Sequence, residues 1–126
     1  ATVRDMARFG LLYARDGRNL AGETLVSPAW VRASVTPDAP HLMPGRDNPL
    51  SDWPMGYGYQ WWIPENQPTT GRGDFSAIGI YGQFVYVDPE RDVVIAKTSA
   101  YEDYDENGEE MEFEAMEAFR AIARGL

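Results

Sequence analysis

The sequence predicts an α+β domain, an antiparallel sheet with helices packed against it. Three observations predict it. Apolar residues recur at helical spacing near both ends of the chain, after Thr2 and again from about Glu110. Between them lie aromatic and β-branched runs at 55–62, 77–87 and 93–97. The last two runs are joined only by Asp88-Pro89-Glu90-Arg91-Asp92. Pro89 fixes φ there and the aspartates can bond neighbouring amides, so the strands turn back antiparallel.

Taken in order, Thr2-Val3-Arg4-Asp5 reads as a helix start, with Thr2 as N-cap and Asp5 at the third helical position. Met6, Phe9, Leu12 and Tyr13 follow at helical spacing, with Ala7 and Leu11 on the flank. Asp16-Gly17 ends that helix, since glycine tolerates the left-handed cap conformation. Asn19 to Thr24 is a polar connection. Ser27-Pro28 restarts a short helix through Trp30, Val31 and Ser34, with Pro28 where its missing N–H costs nothing.

Pro37, Pro40, Pro44, Pro49 and Pro54 make the next stretch an irregular loop containing the single histidine, His41, which reads as an exposed loop residue. Met55 to Trp62 reads as one aromatic strand, with packing as its main role. Pro64 to Asp74 is a polar loop. Val93 to Ala96 is a near-continuous apolar run, which suggests burial on both faces. Such a strand wants neighbours on both sides, more than this chain supplies. Tyr101 to Glu110 reads as an acidic loop before a last helix carrying Phe113, Met116, Phe119 or Arg120, and Ala123 on one stripe. Ala115, Ile122 and Leu126 widen that stripe. The two glycines at the hairpin entrance, Gly79 and Gly82, weaken a strand, and close approach of backbone to a ligand is one reason to keep them.

Composition excludes several function classes. At 126 residues with 44% hydrophobic and 13% aromatic content, a disordered tail is ruled out. The net charge of −9 comes without a Lys/Arg cluster, so nucleic acid is not an expected partner. Without cysteine there is no disulfide and no Cys-based zinc site, and one histidine cannot build a His-rich centre. No metal or cofactor is expected. No apolar run approaches the roughly 20 residues of a membrane span, so a soluble, cytoplasmic location is the expectation. Helix signals begin at the second residue, so residues 1–126 are expected to be a single partial domain cut from a longer one.

The search for a nucleophile within the chain fails. None of Ser27, Ser34, Ser51, Ser76 and Ser99 is followed three residues later by Lys, and no G-x-S-x-G elbow exists. Ser51-Asp52-Trp53 matches two positions of an S-D-N element in the wrong order and context. Lys97-Thr98-Ser99 imitates K-T-G at a strand end, where a lysine is more simply a solvated charge. Both are rejected. The carboxylates from Glu102 to Glu114 suit a helix N-terminus through its dipole, with a cation site as a weaker reading.

Three segments, Thr2 to Leu12, Gly56-Tyr57-Gly58-Tyr59-Gln60-Trp61-Trp62 and Gly79-Ile80-Tyr81-Gly82-Gln83-Phe84-Val85-Tyr86-Val87-Asp88-Pro89, together resemble the C-terminal third of the serine β-lactamase-like superfamily. Leu25 to Val31 fits the short helix between the first two. The branch it resembles is the class C-like esterases and amidases, with the 6-aminohexanoate-dimer (nylon oligomer) hydrolases nearest. The resemblance covers essentially the whole chain. It implies a β-lactamase/transpeptidase-like fold, of which this would be the C-terminal part of the sheet with flanking helices. It also implies that the S-x-x-K nucleophile and the catalytic tyrosine lie upstream of this region.

By the same comparison the K-T-G-like strand falls on Ala77-Ile78-Gly79. Its lysine is absent, as in esterase-like relatives, which argues against β-lactam turnover. Ile80 then stands where the superfamily places a backbone oxyanion donor, beside Gly79. Tyr81, Gln83, Asp105 and Glu110 are the expected substrate contacts, the two acids meeting a cationic amine end. The expected partners are a small amide or ester substrate and the missing N-terminal portion of the fold, or a second chain supplying it. The rival expectation is a non-catalytic binding or interaction domain derived from that fold.

Overall fold

In the computed structural model, which describes residues 1–68 and 72–125, the chain opens on the expected capping box. Helix α1 spans Val3–Ala14, and the Asp5 amide donates to Thr2 Oγ1 while the Thr2 amide donates to the Asp5 carboxylate. The helix closes through Asp16 and Gly17, both at positive φ. Its buried face differs from the expected stripe. Gly10, Tyr13 and Ala14 are buried, whereas Phe9 is 50% exposed, stacked beside Trp61. The sheet approaches so closely that a Cβ on Gly10 would lie 2.6 Å from Val94 Cγ1 and 2.9 Å from Val85 Cγ1. A glycine carries no hydropathy signal, so the periodicity pointed one position off.

Helix α2, Pro28–Ser34, has Ser27 as N-cap, its hydroxyl accepting from the Trp30 amide. The proline-rich loop is held by a short 3-10 turn at Pro40–Leu42 and by Asn48, whose amide donates to the Pro40 and Met43 carbonyls. His41 is exposed, as expected.

The aromatic run at 55–62 is a hairpin, not one strand. Strands β1 (Gly56–Tyr57) and β2 (Trp62–Ile63) pair antiparallel, with Tyr57 opposite Trp62. The chain reverses at Tyr59-Gln60: Gln60 sits at φ +66° and the Gly58 amide donates to the Trp61 carbonyl. Both arms are aromatic, so the alternation reads straight through the turn. The run at 77–87 is likewise two strands and not one, because Gly82 at φ +79° lets the chain reverse over residues 80–82. Strands β3 (Phe75–Gly79), β4 (Gln83–Asp88) and β5 (Val93–Lys97) complete a sheet in the order β1-β2-β3-β4-β5. Residues 69–71 of the preceding loop lie outside the described residues.

Pleating sorts the sheet side chains into two cores. Val85, Val87, Ala77 and Val94 join Tyr13, Trp61 and Phe75 beneath α1. Phe84, Tyr86, Ile78, Val93 and Ile95 meet Met116, Phe119 and Ala123 on the other face. The β5 run is therefore covered on both faces, yet all its residues are only half-buried because it forms the sheet edge.

Helix α3, Tyr104–Ala123, starts well before Glu110, so the expected acidic loop is mostly helix. Asp105 and Glu106 occupy its first turn, where the helix dipole favours carboxylates. Gly108 lies inside it at a cost of about 1 kcal/mol in helix propensity, and the Tyr104 ring takes the space a Cβ would need, at 2.4 Å. Met116, Phe119, Arg120 and Ala123 are buried as expected, but Ile122 is 47% exposed and does not widen the stripe. Leu126 lies outside the described residues. Among the described residues no helix is long and apolar enough to cross a membrane.

Candidate active site

The hairpin turn between β3 and β4 concentrates the chain's polar backbone chemistry. Gly79 pairs with Gln83, leaving Ile80, Tyr81 and Gly82 as a three-residue loop. The Gly82 amide donates to the Gly79 carbonyl at 2.9 Å, and neither Ile80 nor Tyr81 has positive φ. That makes a type I turn, followed by Gly82 at φ +79° in the bulge position such loops require. Gly82 is fixed twice over, because a Cβ there would also stand 2.3 Å from the Tyr101 ring.

The remaining polar groups of the turn are nearly all committed. The Tyr81 amide donates to Gln83 Oε1 at 3.2 Å, and the Tyr81 carbonyl accepts from the Tyr101 amide at 3.1 Å. Gln83 Nε2 donates to the Ser99 carbonyl at 3.1 Å. Among the described residues, the Ile80 amide has no hydrogen-bond partner, and Ile80 is 57% exposed. An unspent, exposed N–H on a turn whose neighbouring amides are committed is an arrangement that can bind a carbonyl oxygen or oxyanion.

A cleft of about 340 Å³ runs beside the turn, lined by Met6, Tyr57, Gln60, Trp62, Ile78 and Gly79 among others. It exists because β2 is short: Trp62 lies opposite Ser76, and β3 continues through Ala77, Ile78 and Gly79. The aromatic hairpin thus forms one wall of a groove whose other wall is an open strand edge.

The expected site residues separate here. Gly79, Ile80 and Tyr81 sit together at the turn, with Ile80 and Tyr81 exposed. Gln83 is not free for substrate, since both ends of its side-chain amide brace the turn. Asp105 and Glu110 are exposed on α3 rather than in a loop. Five residues on a helix differ by about 140° in direction and about 7.5 Å along the axis, so they do not form one acidic receptor. Asp105 follows Tyr104, whose ring lies 6.3 Å from that of Tyr81. Tyr101 and Tyr104 escaped the sequence reading because they are embedded in the acidic block.

Lys97 requires a correction as well. It is half-buried, not solvated. Its ammonium donates to the Gly82 carbonyl (3.2 Å), Ser99 Oγ (2.6 Å) and Tyr101 Oη (3.0 Å), and lies 4.6 Å from the Tyr101 ring centroid.

A second concavity, of about 330 Å³, lies at the other end of β3 and β4 and is lined by Asp74, Tyr86 and Arg120 among others. The three polar side chains named are spent on one another. Arg120 bridges to Asp74, and Tyr86 Oη donates to Asp74 Oδ2 at 3.0 Å. It reads as a buried structural network. The acidic block does not gather three metal-ligand side chains among the described residues.

The family model for Beta-lactamase matches residues 1–118. The chain belongs to the Beta-lactamase family. Within it, a 6-aminohexanoate-dimer hydrolase from Paenarthrobacter ureafaciens is 37% identical over 105 residues, covering 82% of this chain. The chain spans about a quarter of that relative's length, 25%. The five-stranded antiparallel sheet between helices agrees with this Beta-lactamase-family membership, and supports a serine-hydrolase-like fold.

Proposed function

We propose that this chain is one partial domain, the C-terminal portion of a serine hydrolase that cleaves amide or ester bonds through an acyl-enzyme. Its own chemical contribution is the Ile80 amide as an oxyanion donor, with β3 and the aromatic hairpin as the pocket wall. One observation carries the reading: Ile80 offers an unspent N–H on a turn whose other amides are bonded, and the residues on either side of that turn, Gly79 and Gln83, line an open cleft. The identity with a 6-aminohexanoate-dimer hydrolase supports an amide-cleaving reaction class.

The chain has no S-x-x-K. The nucleophile and the proton acceptor therefore come, in this reading, from a further portion of the fold or from a second chain. The carbonyl of a bound amide or ester would rest on the Ile80 N–H as the upstream serine attacks, and negative charge developing on that oxygen strengthens the bond. One such donor is worth roughly 3–4 kcal/mol in the transition state. Tyr81 at the turn and Asp105 at the head of α3 are the side chains proposed to meet the rest of the substrate.

Proline at position 80 tests the role directly. The second position of a type I turn favours proline, and the Ile80 amide donates nowhere within the turn. Ile80→Pro in the complete protein should keep the melting temperature while lowering kcat about 10²- to 10³-fold on p-nitrophenyl esters and the linear 6-aminohexanoate dimer. An unchanged kcat would remove Ile80 from the mechanism. No hydrolysis by the complete, unsubstituted protein would favour the non-catalytic binding domain instead. The 126 residues alone should show no ester burst.

A further inference from the structure

We infer that Lys97 is a positioning residue: it locks the Gly79–Gly82 turn through the Gly82 carbonyl and so fixes the direction of the Ile80 amide. The inference rests on the hydrolase reading of that turn and names the group that orients its donor. A lysine ammonium has three N–H donors and no acceptor. All three find partners here: the Gly82 carbonyl across the sheet, and the Ser99 and Tyr101 hydroxyls of the segment that follows β5. Ser99 Oγ also donates to the Gly82 carbonyl, so that one oxygen takes two donors. Phe84 and Tyr101 place ring faces near the ammonium, at 5.5 Å and 4.6 Å to their centroids. No carboxylate lies within salt-bridge distance of Lys97 among the described residues.

This arrangement does not suit a nucleophile. Ser99 spends its proton on a backbone carbonyl, and a lysine donating three bonds holds no lone pair for proton abstraction. It suits a clamp. Strand β5 and the segment that follows it reach over the turn at Gly82, Tyr81 and Gln83 through Lys97, Tyr101 and Ser99. Every restraint falls on the residues just after Ile80, and none occupies its amide.

Lysine is the right cation for the place. Its compact head meets three acceptors arranged around one point, whereas an arginine fork is planar and favours paired acceptors on one side. Lys97→Arg would keep the charge and could still reach some of the acceptors, but its planar fork could not meet all three at once.

The test combines amide hydrogen exchange with steady-state kinetics on the complete protein, using Lys97→Met, Lys97→Arg and Ser99→Ala. In Lys97→Met the Tyr81 and Gly82 amides should exchange at least 10-fold faster, while Tyr86 and Val87 in mid-β4 keep their protection. Its kcat should fall at least 10-fold with KM within 2-fold. Lys97→Arg should recover part of the kcat, and Ser99→Ala should show a smaller effect of the same kind. Unchanged turn exchange and kcat in Lys97→Met would overturn the inference. So would a loss of protection spread evenly over the sheet, because lysine would then be a general stabiliser. Should the unsubstituted protein hydrolyse nothing, the hydrolase reading fails, and turn exchange alone still decides whether Lys97 is the clamp.

Discussion

Arg120 on α3 holds Asp74 at the entrance to β3 through two bonds, Nε to Oδ2 at 2.7 Å and Nη2 to Oδ1 at 2.9 Å. Both side chains are about nine-tenths buried. The same Nη2 also donates to the Glu65 carbonyl at 2.8 Å, so three segments meet at one guanidinium. Removing one charge of such a pair strands the other. Arg120→Met should therefore cost about 3–5 kcal/mol in urea denaturation, while Arg120→Met with Asp74→Leu should cost far less.

The same pair sets the acid limb of stability. Burial pushes the Asp74 carboxyl up, but the Arg120 bond and charge, with bonds from Tyr86 and Gln67, hold it below its ordinary value of 3.8. A carboxylate with a depressed folded pKa contributes stability that is full above the unfolded pKa and is lost as pH falls through the folded one. Stability measured from pH 5 down to pH 2 should fall more steeply in the natural sequence than in Asp74→Asn.

Tyr86 gives the alkaline counterpart. Burial first, then the Asp74 charge and bond, raise its phenol well above the ordinary value of 10.0. The folded state thus keeps the proton that the unfolded chain gives up. Its contribution is present below pH 10 and is lost as pH rises beyond it. Tyr86→Phe should cost about 1–2 kcal/mol at neutral pH, through the lost bond to Asp74, and should flatten the decline above pH 10.

Gly10→Ala tests the contact between α1 and the sheet. Alanine gains about 1 kcal/mol of helix propensity over glycine, but the new methyl meets Val94 and Val85 below contact distance, and overpacking costs about 1–3 kcal/mol. A net loss of up to about 2 kcal/mol is expected by thermal denaturation. Adding Val94→Ala should return part of it.

Glu112 is the unfavourable acid of α3. It is buried, and burial, followed by the neighbouring Glu109, raises its carboxyl above the ordinary 4.5. A raised folded pKa means that ionisation opposes folding, so stability is lost as pH rises past the unfolded value. Glu112→Gln should stabilise the fold by about 0.5 kcal/mol or more at pH 7, and should lose that advantage below pH 4.

Local chemistry made much of this protein readable from residues alone. The Thr2–Asp5 capping box, the Ser27-Pro28 start of α2 and the β4–β5 turn all follow from contacts a few residues long, and all form as expected. The run at 77–87, by contrast, read as one strand entered by two glycines, and the structure folds it into the β3–β4 hairpin with Ile80, Tyr81 and Gly82 as its turn. What failed were signals whose meaning depends on a distant neighbour. Gly10 matters because Val85 and Val94 arrive beneath it, and at Gly108 the Tyr104 ring takes the place a side chain would need.

Lys97 shows the division most clearly. By sequence it is a charge at a strand end, and strand-end charges are ordinarily solvated. In the fold, pairing of β4 with β5 brings its ammonium to Gly82, fifteen residues away along the chain, with Ser99 and Tyr101 close around it. Sequence determined that glycines flank Ile80 and, through the family resemblance, that its amide is a candidate donor, whereas the turn that carries it became visible only in the structure. Only the tertiary structure decided what holds that turn still and which of its amides is left unspent, because hydrogen-bond partners are assigned by sheet pairing and not by spacing.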